Sequence, residues 1–231
     1  MQTSFLDTLK EMLSFKNVIW ADVWTATVET LQMTLIATFF TFFFGLIIGI
    51  ILFLTSRSNN KGVRIFYSIT AFLVNLFRAI PFIILILLLF PFTNLIMQTI
   101  SGVKGALPAL IIGASPFYAR LVEIAMKEID KGVIEAVQSM GANTFTLVRK
   151  VLIPESLPAL VSGITVTAIA LVGSTAIAGV IGAGGLGNLA YLVGFTRAQN
   201  DVILVSTVLI LLLVFAIQFI GDIITKRIDK R

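Results

Sequence analysis

Cysteine and histidine are both missing from the 231-residue chain. Their absence removes thiolate and imidazole metal sites, cysteine nucleophiles, disulfides and histidine pH switches together. Charge is scarce too: 13% of residues are Asp, Glu, Lys or Arg, against about 25% in a typical soluble domain, while 58% are apolar. A soluble globule of this make-up could not cover itself with polar groups. There is no G-x-x-x-x-G-K-[ST] segment, so no P-loop for a nucleotide. The 12 Asp and Glu residues fall at span ends and in loops, without a His, a Cys or a Ser-Lys pair beside them, so no catalytic constellation forms.

What the chain has is long uncharged runs. Residues 30–56, 79–103, 156–196 and 202–221 carry no charged side chain. Each reaches the roughly 20 residues needed to cross about 30 Å of hydrocarbon. Stretches such as Leu85 to Phe90 are apolar on every face, whereas a barrel strand would alternate. The expected fold is an all-α membrane protein with five transmembrane helices. The predicted spans are 31–54; a second starting near Ile65, or near Ile80 if 65–77 lies along the interface; 103–121, broken by Pro108 and Pro116; one from after Pro158 to about Ile181; and 202–224. The segment 1–29, with Trp20 and Trp24, reads as interfacial, and no signal peptide is evident. Residues 30–226 form the membrane domain and 227–231 a basic tail.

Gly182, Gly184 and Gly187 satisfy G-x-G-x-x-G, with Asp201 further on. They follow a membrane-length run rather than a strand, so a dinucleotide fold is excluded. The glycines read instead as a tight turn at membrane depth, and Leu189 to Phe195 after them is too short to cross.

Lys and Arg are split unevenly: twelve on the loops after the first, third and fifth spans, four on the opposite side, and Arg78 at a membrane boundary. The positive-inside rule then places the N terminus outside and the C terminus in the cytoplasm. The net charge of +5 is explained by this retention, and no nucleic-acid partner is expected.

One cytoplasmic connection, between the third and fourth spans, is much longer than linking two helices requires. It reads K-E-I-D-K-G-V-I-E-A-V-Q-S-M-G-A-N-T-F-T-L-V-R-K-V-L-I-P-E-S. Gly141 stands where a helix-ending glycine would, and Asn143 or Thr144 can cap the next helix. Pro154 and Pro158 suit the opening turn of the fourth span. The spacing predicts a helix, a sharp turn and a helix that present an exposed knob.

From Glu135 the pattern is E-A-V, three residues, Gly141, nine residues, then V-L-I-P ending at Pro154. This resembles the EAA signature of the permease subunits of binding-protein-dependent ABC importers, with Val137, Val151 and Ile153 as apolar replacements. N-L-F-R-A-I-P-F from Asn75, P-F-Y-A-R-L-V-E from Pro116 and G-A-G-G-L-G-N-L-A from Gly182 narrow the resemblance to methionine-uptake permeases. It implies a coupling loop, with Glu135, Ala136, Gly141, Ala142, Val151, Ile153 and Pro154, that docks on a separate ATPase subunit present in two copies. It further implies a homodimer in the prokaryotic plasma (inner) membrane, served by an extracytoplasmic binding protein or lipoprotein. No cofactor is expected on this chain, ATP and Mg being bound by the ATPase. Where the family places its gate, this sequence reads G-S-T-A-I instead of the common G-Y-S-A-M, which makes Ser174, Thr175 and Ile177 the candidate path residues. The competing reading, a self-contained secondary amino-acid transporter or channel, would call for ionisable groups at the midplane or an internal repeat. Neither is visible.

Overall fold

A computed structural model describes residues 12–229. The expectations that fall on residues 1–11, including Lys10, and on Lys230 and Arg231 lie outside the described residues. Helix accounts for nearly all of the rest, with no strand among the described residues.

A long helix, α1, runs Trp20–Ser56. It continues the first apolar run backwards through Thr25, Thr27 and Thr30, whose hydroxyls fold back onto carbonyls four residues earlier. Such back-bonding satisfies a polar side chain inside an apolar helix. Helix α2, Lys61–Ala79, is started by the Asn60 side chain, which accepts from the Gly62 amide at 2.8 Å. It stops where Pro81 disfavours helical geometry for Ile80, which adopts φ −75° and ψ 123°. The chain bends there by 107° into α3, Phe82–Leu88, followed by α4, Phe90–Met97, with Pro91 in its first turn.

Helix α5 spans Gly102–Lys127 as one element. Pro108 and Pro116 do not break it, contrary to the sequence expectation of a broken third span. Proline is tolerated in a membrane helix where neighbouring groups and local adjustment satisfy the freed carbonyls. Helix α6, Lys131–Ser139, and α7, Thr144–Leu147, form the long connection. A wide π-helical turn, Val148–Leu152, carries α7 directly into α8, Ile153–Ala178. This corrects the predicted start of the fourth span: the helical segment begins at Thr144 and holds Pro154 and Pro158 inside it. The physical reason is the wide turn, which shifts the hydrogen-bond register just ahead of Pro154, so the missing amide costs little. A second wide turn, Gly179–Ala183, leads to the short α9, Gly185–Asn188, a third wide segment, Leu189–Phe195, and the last helix, α10, Asn200–Ile228.

Among the described residues, four helical segments are long and apolar enough to cross a membrane, and the bent pair α2–α3 makes a fifth if it counts as one span. The segment 185–195 is apolar but short, as the sequence reading required.

By contact the chain divides into two compact units. One takes the described residues up to Ala37 with Pro81–Ile111 and Ala168–Ile217. Its core gathers Val18, Val23, Ala26, Leu186, Leu189, Val202 and Val205. The Asp201 carboxylate, fully buried at the start of α10, accepts from the Asn17 backbone amide at 2.9 Å and from its side chain, pinning the chain entry to the last helix. The other unit takes Thr38–Ile80, Ile112–Thr167 and the residues from Gln218. Its core is built on Phe53, Tyr118, Val122, Met126, Ile134, Leu147, Leu152 and Leu160. Here α1 meets α5 at two glycines one helical turn apart. A Cβ on Gly45 would lie 2.7 Å from Tyr118 Cδ1, and one on Gly49 2.5 Å from Val122 Cβ. Small residues at this spacing let two membrane helices touch backbone to side chain.

Candidate functional site

The exposed knob forms as the spacing predicts. Asp130 starts α6 by accepting from the Gly132 amide at 2.6 Å, and Asn143 starts α7 by accepting from the Thr146 amide at 2.8 Å. Between them Gly141 takes φ +81°, the left-handed conformation that costs an L-residue about 1–2 kcal/mol. The Gly141 and Ala142 amides donate back to the Gln138 and Val137 carbonyls, which closes the end of α6.

Outward, the knob shows Glu135, Ala136, Gln138, Gly141 and the apolar Met140 and Phe145. Inward, Ile134 is 1% exposed, Leu147 3% and Leu152 0%, and all three belong to the core with Met126 and Val122 of α5. Val137, Val151 and Ile153 pack against the same core. The motif residues thus sort into an outward set, Glu135, Ala136, Gly141 and Pro154, and a half-buried set, Ala142, Val151 and Ile153. An outward face carried on a buried anchor can pass on a push without bending. Beside its root lies a concavity of about 210 Å³ whose lining includes Glu128, Asp130, Glu155 and Asp229 and, among the described residues, no Lys or Arg.

The sequence made only part of the group that holds α5 to α2 next to this knob legible. Glu123, 0% exposed, pairs with Arg120 and Lys127 at 2.6 Å each and accepts from the Tyr67 hydroxyl at 3.1 Å. The Arg120–Glu123 spacing made that ion pair legible in advance. Tyr67 was not, because a distant helix brings it.

Of the candidate path residues, Ile177 is exposed and shares a stripe of α8 with Val166, Ala170 and Gly173, also exposed, which Val180 continues into the wide turn beyond. It borders a shallow apolar groove of about 400 Å³ with Val180, Tyr191, Phe195 and Ile203. Ser174 is half-buried and Thr175 buried, and their hydroxyls donate to the Ala170 and Val172 carbonyls at 3.2 and 2.7 Å. The structure therefore brings Ile177, and not the Thr175 hydroxyl, to a surface.

The glycine-rich turn after α8 is held by residues that the sequence did not single out. Glu29 accepts from the Gly185 amide at 2.6 Å and the Thr30 hydroxyl accepts from the Leu186 amide at 2.8 Å. Gly182, Gly184 and Gly185 have φ of +98°, +81° and +78°. A side chain on Gly184 would collide with Glu29 and one on Gly185 with Thr30. Among the described residues no group of three or more Asp or Glu is placed to hold a metal.

Several apolar helices of membrane length, an anchored helix–turn–helix knob and a glycine-hinged turn of short helices define a polytopic membrane subunit of the permease kind. The chain belongs to the family of binding-protein-dependent transport system inner membrane components, whose model matches residues 43–231. It is 61% identical to the methionine import system permease protein MetP of Bacillus subtilis, over 94% of this chain and 98% of that one. It is 42% identical to the probable D-methionine transport system permease protein MetI of Pasteurella multocida, over 92% and 98%. A solved structure described as inward-facing conformations of the MetNI methionine ABC transporter superposes with a TM-score of 0.89 at 41% identity, covering 93% of this chain and 99% of that one. An amino acid ABC transporter crystallised with histidines superposes at 0.74 with 19% identity, a likeness of fold.

Proposed function

We propose that this chain is the permease subunit of an ATP-driven importer, that two copies enclose a translocation path for methionine or a close relative, and that α6 docks on a separate ATPase. The observation that carries the reading is the knob: an outward Glu135, Ala136 and Gly141 on a base formed by the buried Ile134, Leu147 and Leu152. Exposed Met140 and Phe145 supply apolar contact area, and the acidic concavity beside α6 suits basic side chains of the partner. One helical segment, Thr144–Ala183, links the docking knob to the stripe with Ile177. Motion imposed on the knob by ATP binding then reaches the path through this segment.

The path itself needs only weak affinity, because capture belongs to a binding protein outside. Its candidate lining on α8 carries no charge, which suits a zwitterion passing through and disfavours tight retention of an ion. In this reading Ile177 narrows the path, the half-buried Ser174 lies beside it, and Thr175 supports the helix from behind. The N terminus is outside and the C terminus cytoplasmic, in the inner membrane of a prokaryote.

The test is reconstitution. Proteoliposomes that hold this chain, its ATPase and its binding protein should accumulate labelled methionine when ATP is supplied, and the chain alone should hydrolyse no ATP. Accumulation of an unrelated solute with methionine inert would overturn the substrate, and ATP hydrolysis by the chain alone would overturn the division of labour.

A further inference from the structure

Helix α2 has three faces, and among the described residues only one of them is covered. Tyr67, Thr70 and Val74 turn inward, with Val74 6% exposed and Tyr67 bonded to Glu123. A second face presents Ile65, Phe66, Ile69, Phe72, Leu73 and Leu76, each between 44% and 65% exposed. The third carries Lys61, Arg64, Ser68, Asn75 and Arg78, all exposed, and so runs polar from end to end. No acidic residue lies between Glu29 and Glu123, so Arg57, Lys61, Arg64 and Arg78 are uncompensated in sequence. Lys61 and Arg64 have no ion-pair partner among the described residues.

A helix that crossed hydrocarbon with this face to lipid would carry the Lys61 and Arg64 charges and the Asn75 amide into it, at about 3 kcal/mol for a charge at depth, whereas the Ser68 hydroxyl is met by the Arg64 carbonyl and Arg78 lies over the Phe117 ring. A helix lying in the interface needs this partition instead: apolar face down, basic face at the headgroups. The bend at Ile80–Pro81 supplies the geometry, since a turn of 107° lets the next helix leave in another direction. We propose that α2 lies along the membrane surface and docks on anionic phospholipid headgroups through Lys61 and Arg64, with its exposed apolar face sunk at the acyl boundary. The occupant is the bilayer, because the only charges offered are positive and the apolar face is as long as the helix. This holds for either orientation of the chain and does not depend on what is transported.

Because the native chain lacks cysteine, single Ile65→Cys, Phe72→Cys and Leu76→Cys variants of the full chain can carry a fluorophore in vesicles of phosphatidylcholine with or without phosphatidylglycerol. Quenching by lipids brominated at known depths should place all three labels at one shallow depth. A spanning helix would instead spread Ile65 and Leu76 over about 16 Å, at about 1.5 Å per residue, and would overturn the proposal. Energy transfer to headgroup-labelled phosphatidylglycerol should exceed that to labelled phosphatidylcholine. Local enrichment should fall roughly fivefold for each charge removed in Lys61→Gln and Arg64→Gln, and high salt should abolish it. Labels shielded from every lipid quencher and cross-linking between copies would show that a second protomer covers the face. Equal transfer to both lipids would remove the headgroup claim.

Discussion

Gly141 and Glu123 show two ways in which single residues shape the knob. At Gly141 there is open space where a Cβ would go, so a substitution there acts through φ +81° and not through a clash. Gly141→Asn, which tolerates the left-handed region, should keep most activity, while Gly141→Val should lose about 1–2 kcal/mol from the local fold and much of the uptake. Uptake rates for the two variants in assembled transporter check this, and equal rates would mean that the turn is not needed. Glu123 acts through charge. Glu123→Ala leaves Arg120 and Lys127, whose side chains are 34% and 44% exposed, beside a vacated buried site. The partial exposure of both cations softens the loss, to about 2 kcal/mol. Thermal unfolding of the detergent-solubilised chain should show it, and Tyr67→Phe, which removes one hydrogen bond, should cost about 1 kcal/mol.

At the scale of elements, what could be read in advance was whatever depends on neighbours in sequence. The end of helix α6 just before Gly141 was legible because the glycine and the cap at Asn143 are local signals, and the glycine-rich turn because Gly182, Gly184 and Gly187 cluster within six residues. Proline misled twice. Pro108 and Pro116 suggested a broken helix and Pro158 a helix start, because sequence shows the missing amide but not the wide turn or the surrounding contacts that absorb it. The partners of the glycine-rich turn were illegible for another reason: Glu29 and Gly185 are 156 residues apart, and nothing local links them. Thr30→Val therefore makes a sharp test, because it keeps shape and removes the acceptor. The Leu186 amide should then exchange its hydrogen roughly fivefold faster or more, as the loss of a buried hydrogen bond worth about 1 kcal/mol or more requires. Unchanged exchange at Leu186 would show that the hydroxyl does not hold the turn.

For the whole molecule, orientation rests on the division of basic residues between the two sets of loops. In sealed cells an Asn59→Cys variant should resist impermeant thiol reagents while Ser101→Cys is labelled, and the reverse pattern would turn the chain over. With Asn59 inside, α6 also faces the cytoplasm, where an ATPase can reach it, so topology and coupling stand together. The central claim is that α6 is the mechanical joint between this chain and a separate motor. The most direct measurement is ATP-driven uptake of labelled methionine by proteoliposomes containing Glu135→Arg or Gly141→Trp, with insertion of each variant and copurification of the ATPase followed in parallel. Both variants should insert normally yet lose most uptake, Glu135→Arg through a weakened joint and Gly141→Trp through a deformed one. Wild-type uptake by both variants would contradict that claim.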